Sequence, residues 1–210
     1  MTGQKNRREM SPKIACNGLL IETSNIIKKK GNLRSMYLVS IYFNEKTNKR
    51  IQQYINKVAE HTGNQYMIEE QVPPHITISA FETTQEDEAI LNLEEAVKKL
   101  KCGKLTFASV GQFFPYVMHI APVLNEYLHE MSVMVCAALF QVNRTKISPY
   151  YQPFQWLPHV TIGKKLTKQE MQIAFEIMQN SFGTFEGEVV KIGLAKPNPH
   201  RDIVSWELKE

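Results

Sequence analysis

The sequence predicts an α+β protein, with antiparallel sheets, helices packed outside them, and two similar halves related by a pseudo-two-fold. Three observations carry this reading. Stretches rich in β-branched and aromatic residues alternate with stretches of helical apolar spacing. A five-residue pattern, Pro-His-apolar-Thr-Ile, occurs at residues 74–78 and again at 158–162, 84 residues further on. Each copy also occupies the same place in a repeated order of helix, connecting segment, motif strand and helix. From the composition, the full pattern should arise by chance about 0.0006 times per chain, so a second copy is not accidental.

Along the chain, residues 1–18 are polar and basic and are expected to be disordered. Residues 19–27 suit a short helix that runs into Lys28-Lys29-Lys30, and Gly31-Asn32 breaks it. Residues 36–43 (MYLVSIYF) read as a strand. Asn44 is placed to cap a helix over 45–61, with Ile51, Tyr54, Ile55 and Val58 on one face. Gly63-Asn64 ends that helix, and 65–72 is expected to be extended up to the first motif. Thr84 is placed to cap a helix over 85–101, with Ile90, Leu93, Val97 and Leu100 as its stripe and Gly103 as its stop. Strands over 104–113 and 117–121 flank a turn at Pro115. Pro122 is expected to open a helix that continues to about 140. Residues 143–156 form an aromatic loop holding Tyr150, Tyr151, Phe154 and Trp156. After the second motif, Thr167 caps a helix to about 180, with Glu170 at the capping-box position. Strands over 185–193 and 203–208 close the chain.

The charge distribution narrows the function classes. The net charge of +4 is uneven: residues 1–34 hold 8 Lys/Arg against 2 acids (+6), and residues 35–210 hold 17 against 19 (−2). The chain therefore divides into a basic, flexible extension over 1–34 and one domain over 35–210. A domain of slightly negative charge argues against a broad nucleic-acid-binding surface. Lys28-Lys29-Lys30 reads as a solvated helix end. Cys16, Cys102 and Cys136 are odd in number and lack metal spacing, which suits reduced thiols. No apolar run approaches a membrane span, and no signal-peptide core is evident. The expectation is a cytoplasmic monomer with no membrane association.

The chemistry lies in the motifs. Side chains alternate along a strand, so His75 and Thr77 share one face, and His159 and Thr161 share another. Ile76, Ile78, Val160 and Ile162 point the other way, toward a core. If the motif strands meet, two imidazoles and two hydroxyls line one site. That set suits a phosphodiester: two groups that move protons and two that donate to phosphate oxygens. His-x-Thr is not a metal-ligand pair, and no His or carboxylate lies at short metal spacing from either copy. No metal and no cofactor is expected.

Two His-x-Thr motifs about 80 residues apart in a chain near 200 resemble the two-histidine (2H) phosphoesterase superfamily, which includes the bacterial RNA 2′,5′-ligase/cyclic phosphodiesterases. The resemblance spans about residues 35–210 and departs nowhere inside the motifs. It implies a bilobal α+β fold with the active-site cleft between the lobes. It also implies metal-free chemistry on 2′,3′-cyclic phosphates or 2′,5′ bonds of RNA ends or small nucleotides, carried by His75, Thr77, His159 and Thr161. The alternative is a non-catalytic nucleotide- or RNA-binding module that retains the same cleft. Candidate substrate contacts are Phe113, Tyr150 and Tyr151 as stacking surfaces and Lys164 as a cation. His119 is read as structural, His61 and His129 as exposed on helices, His200-Arg201-Asp202 as a polar turn, and Trp156 as facing away from His159.

Overall fold

The computed structural model describes residues 34–197 and 199–210. The leader up to residue 33, its expected helix at 19–27 and Cys16 lie outside the described residues. Eight strands and five helices follow in the order β1 (Ser35–Phe43), α1 (Glu45–Thr62), α2 (Tyr66–Glu69), β2 (His75–Thr83), α3 (Glu86–Val97), β3 (Gly103–Phe113), β4 (Val117–Pro122), α4 (Glu126–Phe140), β5 (Lys146–Ile147), β6 (Val160–Gly163), α5 (Lys168–Ser181), β7 (Phe185–Pro197) and β8 (His200–Glu207).

Strand β7, at 13 residues, organises the sheet. One edge pairs with β1, from Val189 to Ala195. The other edge is shared: its first part pairs with β3 and its second part with β8. All ladders are antiparallel and the path runs β5-β2-β1-β7-β3-β4-β6, so the sheet forks at β7. The two motif strands lie near opposite ends of that path. Even so, β2 and β6 approach within 8 Å between Cα atoms, so the fold brings the two motif strands together. The repeat is visible as β1-α1-β2-α3 and β4-α4-β6-α5.

The helices cover the sheet with the faces that the apolar spacing indicates. Helix α1 buries Ile51, Tyr54, Ile55, Val58 and Ala59, and Asn44 Oδ1 accepts from Thr47 N at its start. Gly63 ends it at φ 76°, a left-handed conformation that glycine adopts without a Cβ clash. Helix α5 carries the expected capping box, with Thr167 and Glu170 each bonding the other's backbone N–H. The aromatic centre of the core is Phe107, fully buried, stacked on Phe185 at 4.7 Å and edge-on to Phe43 at 5.7 Å.

Several local expectations are corrected. Residues 66–69 form a helical turn rather than extended chain, because Asn64 Oδ1 and the Gln65 carbonyl accept from the backbone N–H groups that follow. Thr84 does not cap α3; Thr83 Oγ1 accepts from Gln85 N, and the first turn carries Glu86, Asp87 and Glu88, which suit the helix dipole. Helix α3 also ends at Val97, where tighter bonds from Lys99 N and Leu100 N take over. Gly103 opens β3 instead of stopping the helix, and its missing side chain makes room for the Tyr127 ring. Pro122 ends β4 rather than opening a helix, since Val123 N bonds back to the Thr106 carbonyl and Asn125 caps α4. The 143–156 loop contains β5 and a 3₁₀ turn at Pro149–Tyr151. The closing strands are longer than expected, and His200, Arg201 and Asp202 lie in β8 rather than in a turn. His129 is half-buried, its ring 3.9 Å from that of Phe154.

Phe107→Ala should destabilise the protein by about 3–5 kcal/mol through lost burial and an unfilled cavity, read as a shift in the urea unfolding midpoint at constant slope.

Candidate active site

Each residue of the repeated pattern has a local task, and the two copies perform it alike. The motif proline restricts the residue before it to extended backbone. That residue is Pro73 in one copy and Leu157 in the other. The His75 Nδ1 lies 2.8 Å from the Pro73 carbonyl, and the His159 Nδ1 lies 2.8 Å from the Leu157 carbonyl. A carbonyl can only accept, so Nδ1 carries the hydrogen in both rings. In the neutral form, each Nε2 is then left as a lone pair, free to take a proton.

The final Ile of the motif is a bulge. Val39 pairs with Ser79 and Ser40 with Thr77, which leaves Ile78 without a partner on β1. Likewise, Met118 pairs with Gly163 and His119 with Thr161, which leaves Ile162 unpaired on β4. Both isoleucines are buried. A bulge bends its strand and re-aims the neighbouring side chains, and here it does so at the same motif position twice.

Thr77 is buried and shares a 3.3 Å hydrogen bond with Ser40 across the strand pair. Thr161 is half-buried, opposite His119. His75 and His159 are half-buried, and charge on the His159 ring bears on His75. His75 is held down at about 4: desolvation is the largest cause, the Pro73 carbonyl opposes it, and the electrostatic influence of His200, His159 and Lys164 adds to the lowering. His159 is also held below the ordinary imidazole range by desolvation, partly opposed by the Leu157 carbonyl.

The linings of the two halves differ. Beside His75 stand Tyr42, whose ring is 6.0 Å away, the cation Lys164 and the imidazole of His200. Burial and the nearby Asp202 raise the Tyr42 hydroxyl to about 12, so it remains a neutral donor. His200 Nε2 lies 3.2 Å from Asp202 Oδ1. Beside His159 stand Phe113, edge-on at 4.7 Å, and His119 at 5.4 Å.

Of the residues singled out in the sequence, the fold thus gathers His75, Thr77, His159, Thr161, Phe113 and Lys164. Lys164 and Lys165 both lie over the Tyr66 ring of α2, at 5.7 and 4.1 Å. Tyr150 is 60% exposed and Tyr151 half-buried on the 3₁₀ turn against β2, and neither makes a ring contact with a motif histidine. Trp156 is buried in the core. His119 and His200 reach the site without any sequence signal, because both get there through cross-strand pairing. Among the described residues, no three His, Cys, Asp or Glu side chains cluster to hold a metal ion, and no helix is long and apolar enough to cross a membrane.

A forked antiparallel sheet that brings two His-x-Thr strands together matches the two-histidine phosphoesterase superfamily in fold and motif. The family model of the 2′-5′ RNA ligase superfamily matches residues 47–201, and the chain belongs to that superfamily. Solved structures share the fold at low identity. The crystal structure of E. coli LigT complexed with 3′-AMP is 11% identical at a TM-score of 0.51, covering 84% of this chain and 99% of LigT. LigT complexed with phosphate is 14% identical at 0.52, covering 84% and 99%. A crystal structure described as a phosphoesterase is 14% identical at 0.54, covering 85% and 100%. No protein of curated function matches the sequence.

Depressed imidazoles make the fold acid-sensitive. Between pH 6.5 and about 4, an unfolded histidine binds a proton that folded His75 refuses, so stability falls as pH falls through that window. NMR titration should find His75 neutral at pH 6, and urea unfolding midpoints should decline from pH 6.5 toward 4.

Proposed function

We propose that this protein is a metal-independent phosphoesterase acting on 2′,3′-cyclic phosphates or 2′,5′-phosphodiester bonds of RNA ends or nucleotides. The observation that carries the reading is the matched pinning of His75 and His159. Both rings are anchored through Nδ1, both present a free Nε2, and they lie on strands that approach each other. A structural histidine pair has no need for two identical anchors that each leave a basic nitrogen free.

Opening a cyclic phosphate needs a water stripped of a proton on one side and a leaving oxygen protonated on the other. One neutral and one protonated imidazole supply both. Thr77 and Thr161 share the faces of these rings and donate to the non-bridging oxygens as charge grows on them. Ser40 holds Thr77 in place. Lys164 adds positive potential beside His75, which favours an anionic substrate. Phe113 offers a ring edge or face beside His159, where a nucleobase or ribose packs. The LigT structures complexed with 3′-AMP and with phosphate support a small phosphorylated ligand in this fold.

Turnover of a 2′,3′-cyclic nucleotide by the purified protein tests this directly; binding without turnover would leave a recognition module instead. His75→Ala and His159→Ala should each lower kcat by about 10²–10⁴. The double variant should lose far less than the product of the two, because the rings act as a unit. Thr77→Ala and Thr161→Ala should also lower kcat, and excess EDTA should leave the rate unchanged.

Only the singly protonated pair is productive, so the rate should be bell-shaped in pH, with limbs that belong to the coupled pair. The acidic limb is protonation of the base and the alkaline limb is loss of the acid's proton. The kcat/KM profile reports the free protein. Because burial lowers both imidazoles there, its optimum should lie on the acid side of 6.5. A bound phosphate anion favours the imidazolium, so the kcat profile should lie at higher pH than the kcat/KM profile.

A further inference from the structure

The pseudo-two-fold places Ser40 and His119 in equivalent positions. Each lies directly opposite the motif threonine, on the strand paired with the motif strand and next to the bulge. Each also faces a glycine on the strand beyond: Gly193 on β7 opposite Ser40, and Gly111 on β3 opposite His119. In the first half a small hydroxyl fills the place and bonds Thr77. A whole imidazole fills it in the second half.

That imidazole is tightly enclosed. His119 is only 3% exposed, and Phe113 stacks on it at 4.3 Å. A Cβ at Gly111 would lie 2.7 Å from His119 Nε2, so the glycine keeps β3 open for the ring. Glycine weakens a strand interior, and no turn requires it at this point. The Nδ1 of His119 is buried with no hydrogen-bond partner among the described residues. A polar ring with an unpaired nitrogen is a poor choice for mere filling, since an apolar side chain of similar size avoids that penalty. Its one distinctive contact is His159, ring to ring at 5.4 Å and 63°.

We propose that His119 is a positioning residue for His159: held by Phe113 and Gly111, it fixes how that ring presents its free nitrogen and how firmly it holds a proton. The inference rests on the acid/base reading of His159 above. The titratable groups that face His159 are His119 from β4 and His75 from β2; Lys164 and His200 bear on His75 instead. Two imidazoles at this distance disfavour each other's charge, so a proton on His159 requires a neutral His119. Desolvation keeps His119 neutral, down to about 4, and the charge of His159 adds to that effect.

The test is NMR titration of full-length protein carrying ¹⁵N-labelled histidine, with kinetics in parallel. His119→Gln keeps a neutral polar side chain but removes the flat ring that abuts His159, so the ¹⁵N shifts of the His159 ring should depart from the wild-type values while its titration midpoint moves little. His119→Phe keeps a stacked ring but makes the surroundings apolar, so His159 should take up its proton only at a lower pH than in the wild type. His75 should titrate as in the wild type in both variants. With a 2′,3′-cyclic nucleotide as substrate, kcat should fall in both variants with KM nearly unchanged, and the pH profile should move with His159. Wild-type ¹⁵N shifts of His159 in His119→Gln together with a wild-type His159 titration in His119→Phe, or an equal shift of His75, would overturn the proposal. If His119→Gln fails to fold, the direction of the His119→Phe shift decides. Absence of turnover by the wild type would sink the enzymatic reading alone, because the titration does not depend on it.

Discussion

The double pairing of β7 is the constraint on which the rest depends. A strand has two edges, and β7 gives one to β1 and divides the other between β3 and β8. Because side chains alternate with a period of two, each ladder fixes which face of its neighbour looks inward. The pairing therefore propagates outward in both directions, through β1 to β2 and through β3 and β4 to β6. Close packing holds this register. A Cβ at Gly187 would meet Thr47 Cγ2 at 2.7 Å and Phe107 Cε2 at 2.8 Å, so β7, α1 and the core approach more closely than any other residue permits.

On that frame, the five-residue pattern acts as one mechanical device used twice. Proline stiffens the approach, the carbonyl before it holds the imidazole, and the apolar residue anchors the strand in the core. Threonine shares the face of the imidazole, and the last isoleucine forms the bulge. The anchoring carbonyl belongs to proline in one copy and leucine in the other. The task falls on the backbone, so side-chain identity there is free to differ.

Symmetry of the device does not extend to its surroundings. The His75 side is polar, with Tyr42, the cation Lys164 and His200; the His159 side is aromatic, with Phe113 and His119. An asymmetric lining around a symmetric pair lets one side take phosphate charge while the other takes a ring, and it gives the two imidazoles different reasons to shed a proton.

Much of this was legible in the chain itself. The alternation of His and Thr against Ile and Val determined which side chains share a face. The apolar spacing marked the long helices, and Asn44, Gly63 and Thr167 with Glu170 marked their ends, because capping is a contact within a few residues. Where two local solutions competed, the sequence was ambiguous: Pro122 suits the end of a strand as well as the start of a helix, and the backbone bond from Val123 to Thr106 decided between them. The bulges, the neutral His119 beside His159, and the approach of Lys164 and His200 to His75 could not be read from order along the chain. They arise from which strand lies beside which and in what register, and that is set by packing between segments tens of residues apart.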